Sequence, residues 1–544
     1  MEIELATAWE CVTDAVPSEV ALIQGDHRIT YAEFDNAAAR FAAAMAAVGV
    51  SSGAKVALFL YNCPEYMIAE YGALKNRCTP VNVNYRYLDD ELAYLIDNSD
   101  AEVLVFHRSL GDRVDRVRSR LTKLRVIVEV NDSGEHLTAS ESFDDFLAAH
   151  EPQARQTRSG DDLYMMYTGG TTGMPKGVMS RQGPYVSTAY LSSVLIAPAI
   201  VPPKGPEDIG RYVLDIFQLG RAVTVPCCPL MHATGMGIAA IPTLLRGGTL
   251  VLLNNQHFDA HELWGLTETE RVSDIIIVGD PFARPMLRAL EEREAQQQPY
   301  DTTSLRRILS AGTIWSAEIK DGLRQKTPAQ LMDLLGSTEG GVYALSSANS
   351  SSHVATANFS LSVGTRVLNE RDEDVTPGSG EKGMIASITN TIGYYKDPEK
   401  TAATFRQIDG RSYVLTGDWA TVEASGAISL LGRGSNCINT GGEKVFPEEV
   451  EETLKTHPAV ADACVVGVAD DEYGQRIVAA VELQPGHYAE EAELIAHVKA
   501  HLASYKAPRA IRTVDTIGRA VNGKMDYARH QREAALWQAQ QNAR

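Results

Sequence analysis

The most informative stretch of the chain is Tyr167-Thr168-Gly169-Gly170-Thr171-Thr172-Gly173-Met174-Pro175-Lys176-Gly177-Val178, which directly follows the apolar, strand-like Leu163 to Met166. Three glycines and three threonines stand between Thr168 and Gly173, and a lysine follows shortly after. Exposed backbone N–H groups, hydroxyls and an ammonium group all bind phosphate. The stretch therefore predicts a phosphate-binding loop, with a plain flexible turn as the alternative.

This stretch differs from the Walker loop of P-loop kinases and ATPases. Pro175 precedes Lys176 where that loop has glycine, and Gly177 follows it where a serine or threonine would bind magnesium. The sequence thus argues against a P-loop kinase or ATPase.

The composition is typical of a large globular protein. The chain has 544 residues, of which 44% are apolar and 22% charged, and its net charge is -20. At roughly 150 residues per domain, three or four compact units are expected. The negative charge argues against binding to nucleic acid or to an anionic membrane, since both need positive potential on the protein.

Cysteine usage and the N-terminus indicate a reduced, cytoplasmic setting. The seven cysteines show neither zinc-site nor disulfide-framework spacing. The start, Met1 to Leu5, is acidic where a signal peptide would be basic, and no apolar run approaches the ~20 residues that span a bilayer. We therefore expect a cytoplasmic protein without an integral membrane segment.

Alternating apolar patterns predict an α/β fold. Helical patterns at Tyr31 to Val48 and Pro64 to Leu74 flank a strand pattern at Lys55 to Leu60. This alternation predicts parallel sheets with helices on their faces. From Leu191 to Pro226 four prolines interrupt an apolar stretch, which predicts a long irregular excursion. Further strands are expected at Ala101 to Phe106, Arg125 to Val130, Thr249 to Leu253, Asp274 to Val278 and Leu305 to Ala311.

The second half of the chain predicts two smaller parts. Turn signals from Ser347 to Ser387 indicate a β-rich subdomain. The two glycines in Gly432-Arg433-Gly434-Ser435 let the chain bend, which places a domain boundary there. We expect a large domain over 1–433 and a small, mobile α+β domain over 434–544. Its expected elements are helix Pro447 to His457, strand Ala461 to Val468, strand Arg476 to Leu483 and helix Glu490 to Leu502.

The phosphate loop resembles that of the adenylate-forming superfamily, which includes acyl-CoA synthetases, luciferases and peptide-synthetase adenylation domains. Further motifs of this superfamily follow in order, and the hinge region is most similar to that of bacterial fatty-acid and steroid side-chain CoA ligases. The resemblance implies that ATP activates a bulky apolar acid as acyl-AMP, and that the acyl group passes to CoA. The motifs are Gly336-Ser337-Thr338-Glu339, Gly393-Tyr394-Tyr395-Lys396-Asp397, Thr416-Gly417-Asp418, Gly432-Arg433 with Gly441-Gly442-Glu443, and Asn522-Gly523-Lys524.

The resemblance gives catalytic roles to four charged or gating residues, Lys524, Lys176, His232 and Glu339. Two unit charges ~4 Å apart repel by about 4 kcal/mol at an effective dielectric of ~20, so joining a carboxylate to ATP depends on neutralising charge. Lys524 is implied to reach the carboxylate and the α-phosphate together. Glu339 and Thr168 resemble the family's magnesium ligands, which are hard oxygen donors. ATP, Mg²⁺ and CoA are the implied ligands.

Other motif residues are implied to bind the nucleotide. Asp418 matches an aspartate that accepts hydrogen bonds from the ribose hydroxyls, and Arg433 matches a nucleotide-binding arginine. The remaining ATP and AMP ligands are the phosphate loop (Thr168, Gly169, Gly170, Thr171, Thr172, Gly173, Lys176), two segments beside the adenine (Gly312 with Thr313, Gly336 with Ser337) and Thr338.

The acyl and CoA sites are also inferred from the resemblance. His232 occupies the position of a gate between the ATP and acyl pockets. Candidate pocket walls, for which ordinary core is the alternative, are Met236 to Ile241 and Gly279 to Phe282, and the excursion from Leu191 to Pro226 is a candidate cover. Gly441 and Gly442 are implied to lie beside pantetheine, with Ser435 as the hinge. The basic segment Lys506 to Arg529 is a candidate for the CoA phosphates or a solvated charged face.

Two positions depart from the family pattern. Leu335 stands where many members stack a tyrosine on adenine, and Ser435 stands where most have an Asp or Lys pivot. The segment Met231 to Gly235 contains no acid for a substrate ammonium, which disfavours amino acids. Two alternatives remain open: a stand-alone ligase that loads a carrier protein, and a nucleotide-binding protein without turnover. The oligomeric state is also open, a homodimer being one alternative.

Overall fold

The computed structural model describes residues 3–133, 135–137, 139–170, 173–192, 199–313, 315–348, 358–440, 443–470, 474–502, 504–519 and 524–542. The helices in these ranges are α1 (Leu5–Ala15), α2 (Tyr31–Ala47), α3 (Pro64–Lys75), α4 (Asp89–Asn98), α5 (Gly111–Val117), α6 (Phe143–Ala148), α7 (Gln182–Ser192), α8 (Pro206–Gln218), α9 (Ile241–Leu245), α10 (Ala260–Thr269), α11 (Asp280–Ala295), α12 (Ala317–Lys326), α13 (Pro398–Thr404), α14 (Pro447–Lys455), α15 (Glu491–His501) and α16 (Tyr527–Asn542).

The strands in the same ranges are β1 (Val20–Gln24), β2 (His27–Thr30), β3 (Lys55–Phe59), β4 (Thr79–Asn82), β5 (Ala101–His107), β6 (Val126–Val130), β7 (Glu141–Ser142), β8 (Leu163–Gly170), β9 (Gly173–Arg181), β10 (Val223–Pro226), β11 (Thr249–Leu252), β12 (Asp274–Ile277), β13 (Arg307–Ala311), β14 (Gln330–Ser337), β15 (Gly341–Ala348), β16 (Asn358–Leu361), β17 (Thr365–Leu368), β18 (Lys382–Ile388), β19 (Thr391–Tyr394), β20 (Phe405–Ile408), β21 (Arg411–Val422), β22 (Ile428–Arg433), β23 (Ile438–Thr440), β24 (Glu443–Val445), β25 (Val460–Asp470), β26 (Gly474–Leu483) and β27 (Ala510–Val514).

The chain packs into two compact units. The first comprises Met1–Gly341, Ser347–His353 and Thr389–Ser412. The second comprises Val342–Ser346, Val354–Ile388 and Tyr413–Arg544. This grouping follows packing, whereas the predicted division into 1–433 and 434–544 concerns where the chain pivots. The predicted boundary therefore stays a prediction.

A mainly parallel sheet organises the first unit. Its strand order is β14-β13-β12-β10-β11-β1-β2, and all pairs are parallel except β1 with β2. Strands such as β12, with Ile275, Ile276 and Ile277 all buried, are apolar on both faces. Two-sided burial requires helices on each side of such a sheet. The predicted α/β fold is confirmed.

A second parallel sheet follows the order β4-β3-β5-β6-β7. Helix α2, which packs against α3, begins where the Thr30 hydroxyl accepts a hydrogen bond from the Glu33 N–H and the Glu33 carboxylate accepts one from the Thr30 N–H. Such a reciprocal cap satisfies two amides that have no partner within the helix. The strands predicted near residues 55, 101 and 125 are confirmed.

The predicted irregular excursion from Leu191 to Pro226 is wrong over much of its length. It contains the regular helix α8, and its last four residues form β10 inside the parallel sheet. Pro206 is the first residue of α8, a position at which the missing N–H of proline costs nothing. Prolines therefore mark the start of this helix rather than its absence. Residues 193–198 lie outside the described residues.

The second unit contains two further sheets. An antiparallel one runs β17-β18-β21-β22-β16-β15, as expected for the predicted β-rich subdomain. In the other sheet, β25 pairs antiparallel with β26, and β26 pairs parallel with β27. Helices α14 and α15 alternate with these strands along the chain. The predicted α+β elements of the small domain are confirmed, whereas α16 was not predicted.

Candidate active site

Four predicted site segments follow four neighbouring strands of the parallel sheet. His232 follows β10, Gly279 follows β12, Gly312 follows β13, and Ser337 ends β14. These strands lie side by side in the order β14-β13-β12-β10 and run in the same direction. Residues that are 105 positions apart in sequence therefore meet at one edge. In open α/β sheets, ligands bind outside the carboxyl ends of the strands.

The predicted phosphate-binding stretch belongs to a β-hairpin. Strands β8 and β9 pair antiparallel, and Thr168 lies directly opposite Lys176. Residues directly opposite in an antiparallel pair project to the same face. The two groups predicted to meet phosphate and magnesium are therefore neighbours. Thr171 and Thr172 lie outside the described residues.

Lys176 is held by a loose ion pair and an aromatic ring. Its Nζ lies 3.7 Å from Oδ2 of Asp397 and 5.6 Å from the centre of the Tyr394 ring. The Lys176 side chain remains 34% exposed. An ion pair with this much solvent contributes at most about 1 kcal/mol, so the ammonium group is available to a stronger anion.

Tyr394 links Lys176 to Glu339, the second charged residue of this site. The Tyr394 hydroxyl donates a hydrogen bond to Oε1 of Glu339 at 2.8 Å. Burial, together with the charge of Glu339, raises the pKa of Tyr394. The backbone of Glu339 is held as well, because its carbonyl accepts hydrogen bonds from the hydroxyls of Thr389 at 2.6 Å and Thr391 at 2.8 Å. Sequence reasoning quoted Tyr394 within a motif but gave it no role.

Asn82 joins the hairpin to the gate segment. Its amide nitrogen donates to the carbonyls of Tyr167 at 2.8 Å and Met231 at 2.6 Å, and its carbonyl accepts from the Tyr167 N–H at 2.7 Å. Tyr167 precedes Thr168, and Met231 precedes His232. Sequence reasoning missed Asn82, since a residue at the end of a short strand carries no local signal for such distant partners.

The gate segment turns tightly before it enters a π-helix over Thr234–Ala240. The His232 N–H donates to the Pro229 carbonyl at 3.1 Å, and the His232 carbonyl accepts from the Met236 N–H at 2.9 Å. A Cβ built on Gly235 would lie 2.7 Å from the Pro229 carbonyl carbon, closer than atoms can pack. Glycine at 235 is therefore required for this turn. π-Helical turns are frequent at functional sites.

The segment predicted to border the adenine lies next to the predicted gate segment. A Cβ built on Gly312 would lie 3.6 Å from Val278 Cγ1 and 3.9 Å from Thr234 Oγ1. Gly312 thus touches the segments that follow β10 and β12. The structure brings the predicted adenine border, gate and pocket wall into one group.

The predicted walls of the acyl pocket belong partly to the core. Met236 is 1% exposed and Phe282 5% exposed, and the Phe282 ring packs against Phe258 with centres 5.0 Å apart. Gly279 precedes α11, and its N–H donates to the Ser310 hydroxyl at 2.9 Å. These contacts fix Gly279, whereas the role of Met236 and Phe282 as pocket walls stays a prediction.

The predicted ribose ligand lies within the second unit. Asp418 is 5% exposed and accepts a 2.5 Å hydrogen bond from the hydroxyl of the fully buried Tyr343. On the neighbouring strand Arg433 is its direct backbone partner. The register thus brings together two residues that the resemblance implied for the nucleotide. Tyr343 was not predicted.

The glycines at the predicted hinge are closely packed in this conformation. Gly432 has a φ of +127°, and a Cβ there would overlap the carboxyl group of Glu448. A Cβ on Gly434 would lie 2.6 Å from Trp419 Nε1. Close approach, and not bending freedom alone, therefore requires glycine here. Gly441 and Gly442 lie outside the described residues, and the backbone of Ser435 follows Gly434 directly in a short 3₁₀ turn.

Lys524 is exposed, and most of the other cations in the predicted basic segment form ion pairs. Most other cations of Lys506 to Arg529 are paired with carboxylates from other parts of the second unit, so little of their positive charge is left uncompensated. The pairs are Lys506 with Glu449, Arg512 with Glu533, Arg519 with Asp462, and Arg529 with Glu533.

The donor set at the hairpin fits a hard cation. Glu339 and Thr168 supply oxygen, and both are partly exposed. Within the described ranges no group of three or more His, Cys, Asp or Glu side chains could hold a metal. A site with one carboxylate suits Mg²⁺, which commonly binds through one or two carboxylates plus substrate phosphates.

Comparison with known proteins agrees with this geometry. Residues 10–395 match the AMP-binding enzyme family, and residues 449–524 match the AMP-binding enzyme C-terminal domain. The chain belongs to the AMP-binding enzyme family. A 3-oxocholest-4-en-26-oate–CoA ligase of Rhodococcus rhodochrous is 36% identical to this AMP-binding enzyme, covering 97% of the chain and 95% of the relative.

Another relative is the medium/long-chain-fatty-acid–CoA/3-oxocholest-4-en-26-oate–CoA ligase of Mycobacterium tuberculosis (strain ATCC 25618 / H37Rv), 38% identical over 98% of the chain and 96% of the relative. The fold is shared with the anthranilate CoA ligase AuaEII, at a TM-score of 0.83 and 23% identity over 99% of the chain and 98% of that structure. These matches confirm the predicted superfamily and the class of acid–thiol ligases.

In the described part of this AMP-binding enzyme, no helix is both long and apolar enough to cross a membrane.

Proposed function

We propose that this AMP-binding enzyme joins a bulky apolar carboxylic acid to CoA, with ATP converted to AMP and pyrophosphate. The support comes from one feature above all: the segments that contain His232, Gly279, Gly312 and Ser337 meet at the carboxyl ends of adjacent parallel strands. Relatives that match along nearly the whole chain are named as ligases of fatty and steroid acids. The acid proposed for this chain follows that class.

In the first step, the acid's carboxylate oxygen attacks the α-phosphate of ATP, the acyl–phosphate bond forms, and pyrophosphate leaves. We assign Lys176 and the backbone of the β8–β9 hairpin to the phosphates, Gly312 and Gly336 to the adenine, and Asp418 to the ribose. The acid is ionised near neutral pH, so no general base is needed. Charge neutralisation by Lys176 and Lys524 is then the main contribution of the protein.

Glu339 and Thr168 would hold Mg²⁺, which supplies further positive charge beside the phosphates. The residues of this chain define where that ion would sit. Tyr394 fixes the carboxylate of Glu339, and the two threonine hydroxyls fix its backbone. A glutamate that is restrained both at its backbone and at its carboxylate loses little conformational entropy when it binds a cation.

In the second step, the thiol of CoA attacks the acyl carbon and AMP leaves. We assign Gly441 and Gly442 to the pantetheine passage and Ser435 to the pivot.

Leu335 is half-buried at the end of β14, beside Gly336. Since an aliphatic side chain replaces an aromatic platform there, we expect the hydrogen bonds of Asp418, rather than stacking, to carry more of the nucleotide affinity.

The decisive experiment measures pyrophosphate release and thioester formation with fatty, arylalkyl and steroid acids, with and without CoA. Wild-type protein should release pyrophosphate only when its acid is present, and should form thioester when CoA is added. Lys524→Ala should abolish release, whereas Lys499→Ala, a change at an exposed lysine of α15, should leave it unchanged. Adenylate without thioester across the panel would contradict CoA as the acceptor.

A further inference from the structure

A polar cluster of buried and partly buried side chains lies next to the predicted gate segment and has no place in the chemistry above. It consists of Glu70 on α3, Tyr164 on β8 and Tyr185 on α7, and we call it the Glu70 cluster. Glu70 is 3% exposed and accepts a 3.0 Å hydrogen bond from the Tyr164 hydroxyl. The rings of Tyr164 and Tyr185 lie 4.8 Å apart, nearly parallel at 31°.

Glu70 differs from the other buried acids of the first unit. Glu10 pairs with Lys75 at 2.7 Å, Glu129 with Arg108 at 2.8 Å, and Asp333 with Lys320 at 2.8 Å. Among the described residues, Glu70 has no cation within ion-pair distance, and its hydrogen bond comes from the neutral Tyr164 hydroxyl. Burial raises the pKa of Glu70 to about 7, against the lowering by the Tyr164 hydrogen bond. A buried acid without compensation costs stability and is a candidate for function.

Tyr185 connects the Glu70 cluster to the π-helix that follows the predicted gate residue. A Cβ built on Gly237 would lie 3.2 Å from the Tyr185 hydroxyl, so this hydroxyl abuts the π-helix. Within the described part of the chain the Tyr185 hydroxyl makes no hydrogen bond, although burial and the charge of Glu70 raise its pKa and keep it protonated. The Tyr185 hydroxyl is thus a hydrogen-bond donor beside the predicted wall of the acyl pocket, which begins near His232.

The distance from the gate is set by the helix. His232 and Gly237 are five positions apart, and the Met236 N–H donates to the His232 carbonyl at 2.9 Å, so the Tyr185 hydroxyl lies about one helical turn beyond His232 along the wall. A ligand whose carboxylate lies at the phosphate hairpin would reach this depth with its apolar body. An oxygen there would meet a donor in an otherwise apolar environment.

We propose that Tyr185 is a specificity-determining residue whose hydroxyl binds a hydroxyl or ketone oxygen in the apolar part of the acid, with Glu70 and Tyr164 forming the polar end of that subsite. The inference rests on the proposed function and deepens it. The favoured substrates are apolar acids with one oxygen at mid-chain or on a ring. Their deoxy analogues leave the Tyr185 hydroxyl without this partner, which lowers their reactivity.

The test compares matched pairs of acids in the pyrophosphate-release assay. The pairs are 3-phenylpropanoate with its 4-hydroxy derivative, decanoate with keto-decanoates that carry the ketone at successive carbons, and a 3-oxo steroid acid with its 3-deoxy analogue. Wild-type protein should show a higher kcat/KM for at least one oxygenated member. Tyr185→Phe should reduce that preference about three- to tenfold, the effect of one neutral hydrogen bond.

Two controls separate recognition from folding. Tyr190→Phe changes a buried tyrosine of the same helix whose ring packs against Tyr212, and it should leave the preference unchanged. Glu70→Leu should lower the preference while it raises the urea midpoint, because it removes an unpaired buried acid. A purely structural Glu70 would give a lower midpoint instead.

The outcomes distinguish this inference from the proposed function. If no acid in the panel causes pyrophosphate release, the proposed function fails. If apolar acids are activated and coupled to CoA, but oxygenated members show no preference or Tyr185→Phe leaves a preference intact, the function stands and the subsite is refuted.

Discussion

Alanine at position 235 tests the gate geometry most directly. Gly235 approaches the Pro229 carbonyl so closely that an added Cβ would lie 2.7 Å from the carbonyl carbon and 3.0 Å from the Leu230 nitrogen. Carbon atoms pack at about 3.5 to 4.0 Å, so the two backbone segments must separate by roughly 1 Å. Overpacking of this kind costs typically 1–3 kcal/mol. The Pro229 carbonyl also accepts the N–H of His232, which must therefore move too.

We expect Gly235→Ala to lower kcat/KM for the acid by about 100-fold, the usual consequence of a 1 Å displacement in an active site. It should also lower the midpoint of urea unfolding. Gly265→Ala is the matched control, since Gly265 lies within α10 and a Cβ there meets nothing within 4 Å. That variant should keep full activity and gain about 0.4–1 kcal/mol in stability.

The reasoning would be refuted by a Gly235→Ala variant as active and as stable as the wild type. Loss of stability with normal kcat/KM would show that the turn matters for folding while His232 lies outside the reacting region. Equal losses in Gly235→Ala and Gly265→Ala would show that alanine is harmful for reasons unrelated to the close approach.

Three further predictions concern Tyr394, Asn82 and Glu70. Tyr394→Phe should raise the magnesium concentration needed for half-maximal pyrophosphate release and lower kcat about 10-fold, whereas Tyr395→Phe, whose hydroxyl bonds Asp100 instead, should not. Asn82→Ala should lower both activity and the unfolding midpoint by removing three hydrogen bonds to Tyr167 and Met231, and an unchanged activity would contradict their role at the gate. Because the folded chain keeps on Glu70 a proton that the unfolded chain releases above its ordinary pKa of 4.5, the contribution of Glu70 to wild-type stability should fall as pH rises from about 4.5 to 7. Glu70→Gln should flatten that slope, by on the order of 3 kcal/mol over the range, in urea unfolding at each pH.

The local pattern of the chain predicted the parallel sheets, because alternation of helical and strand periods depends on neighbouring residues. Segments such as Gly312 and Ser337 were identified by motif, and the sheet explains why they meet. The prediction of an irregular excursion before Pro226 is wrong, because composition does not distinguish a proline at the first position of a helix from a proline that ends one. Helix α16 is rich in alanine and glutamine and has no strong apolar stripe to reveal it.

Residues that hold the site in place could not be found this way. Asn82 and Tyr343 act through hydrogen bonds to residues 149 and 75 positions away. Their partners are determined by strand order, and strand order depends on long-range packing rather than on local sequence. Glycine motifs show the same limit: Gly235 is required by a contact with Pro229, whereas Gly432 combines a φ of +127° with a contact to Glu448. The sequence shows glycine in both cases and gives the reason in neither.

In the proposed role of Lys176, its ion pair explains how an acidic chain can present a cation to polyanionic ATP. With a net charge of -20, an isolated lysine would attract a carboxylate from somewhere on the surface. Asp397 fills that role at 3.7 Å, yet its other carboxylate oxygen accepts the N–H of Lys400 at 2.9 Å and caps α13. When a phosphate displaces Asp397 from Lys176, the aspartate therefore keeps a hydrogen bond and remains at a helix N-terminus, where negative charge is favoured. The exchange costs at most about 1 kcal/mol of screened attraction, less than the roughly 1.5–3 kcal/mol that a hydrogen bond to a charged group contributes.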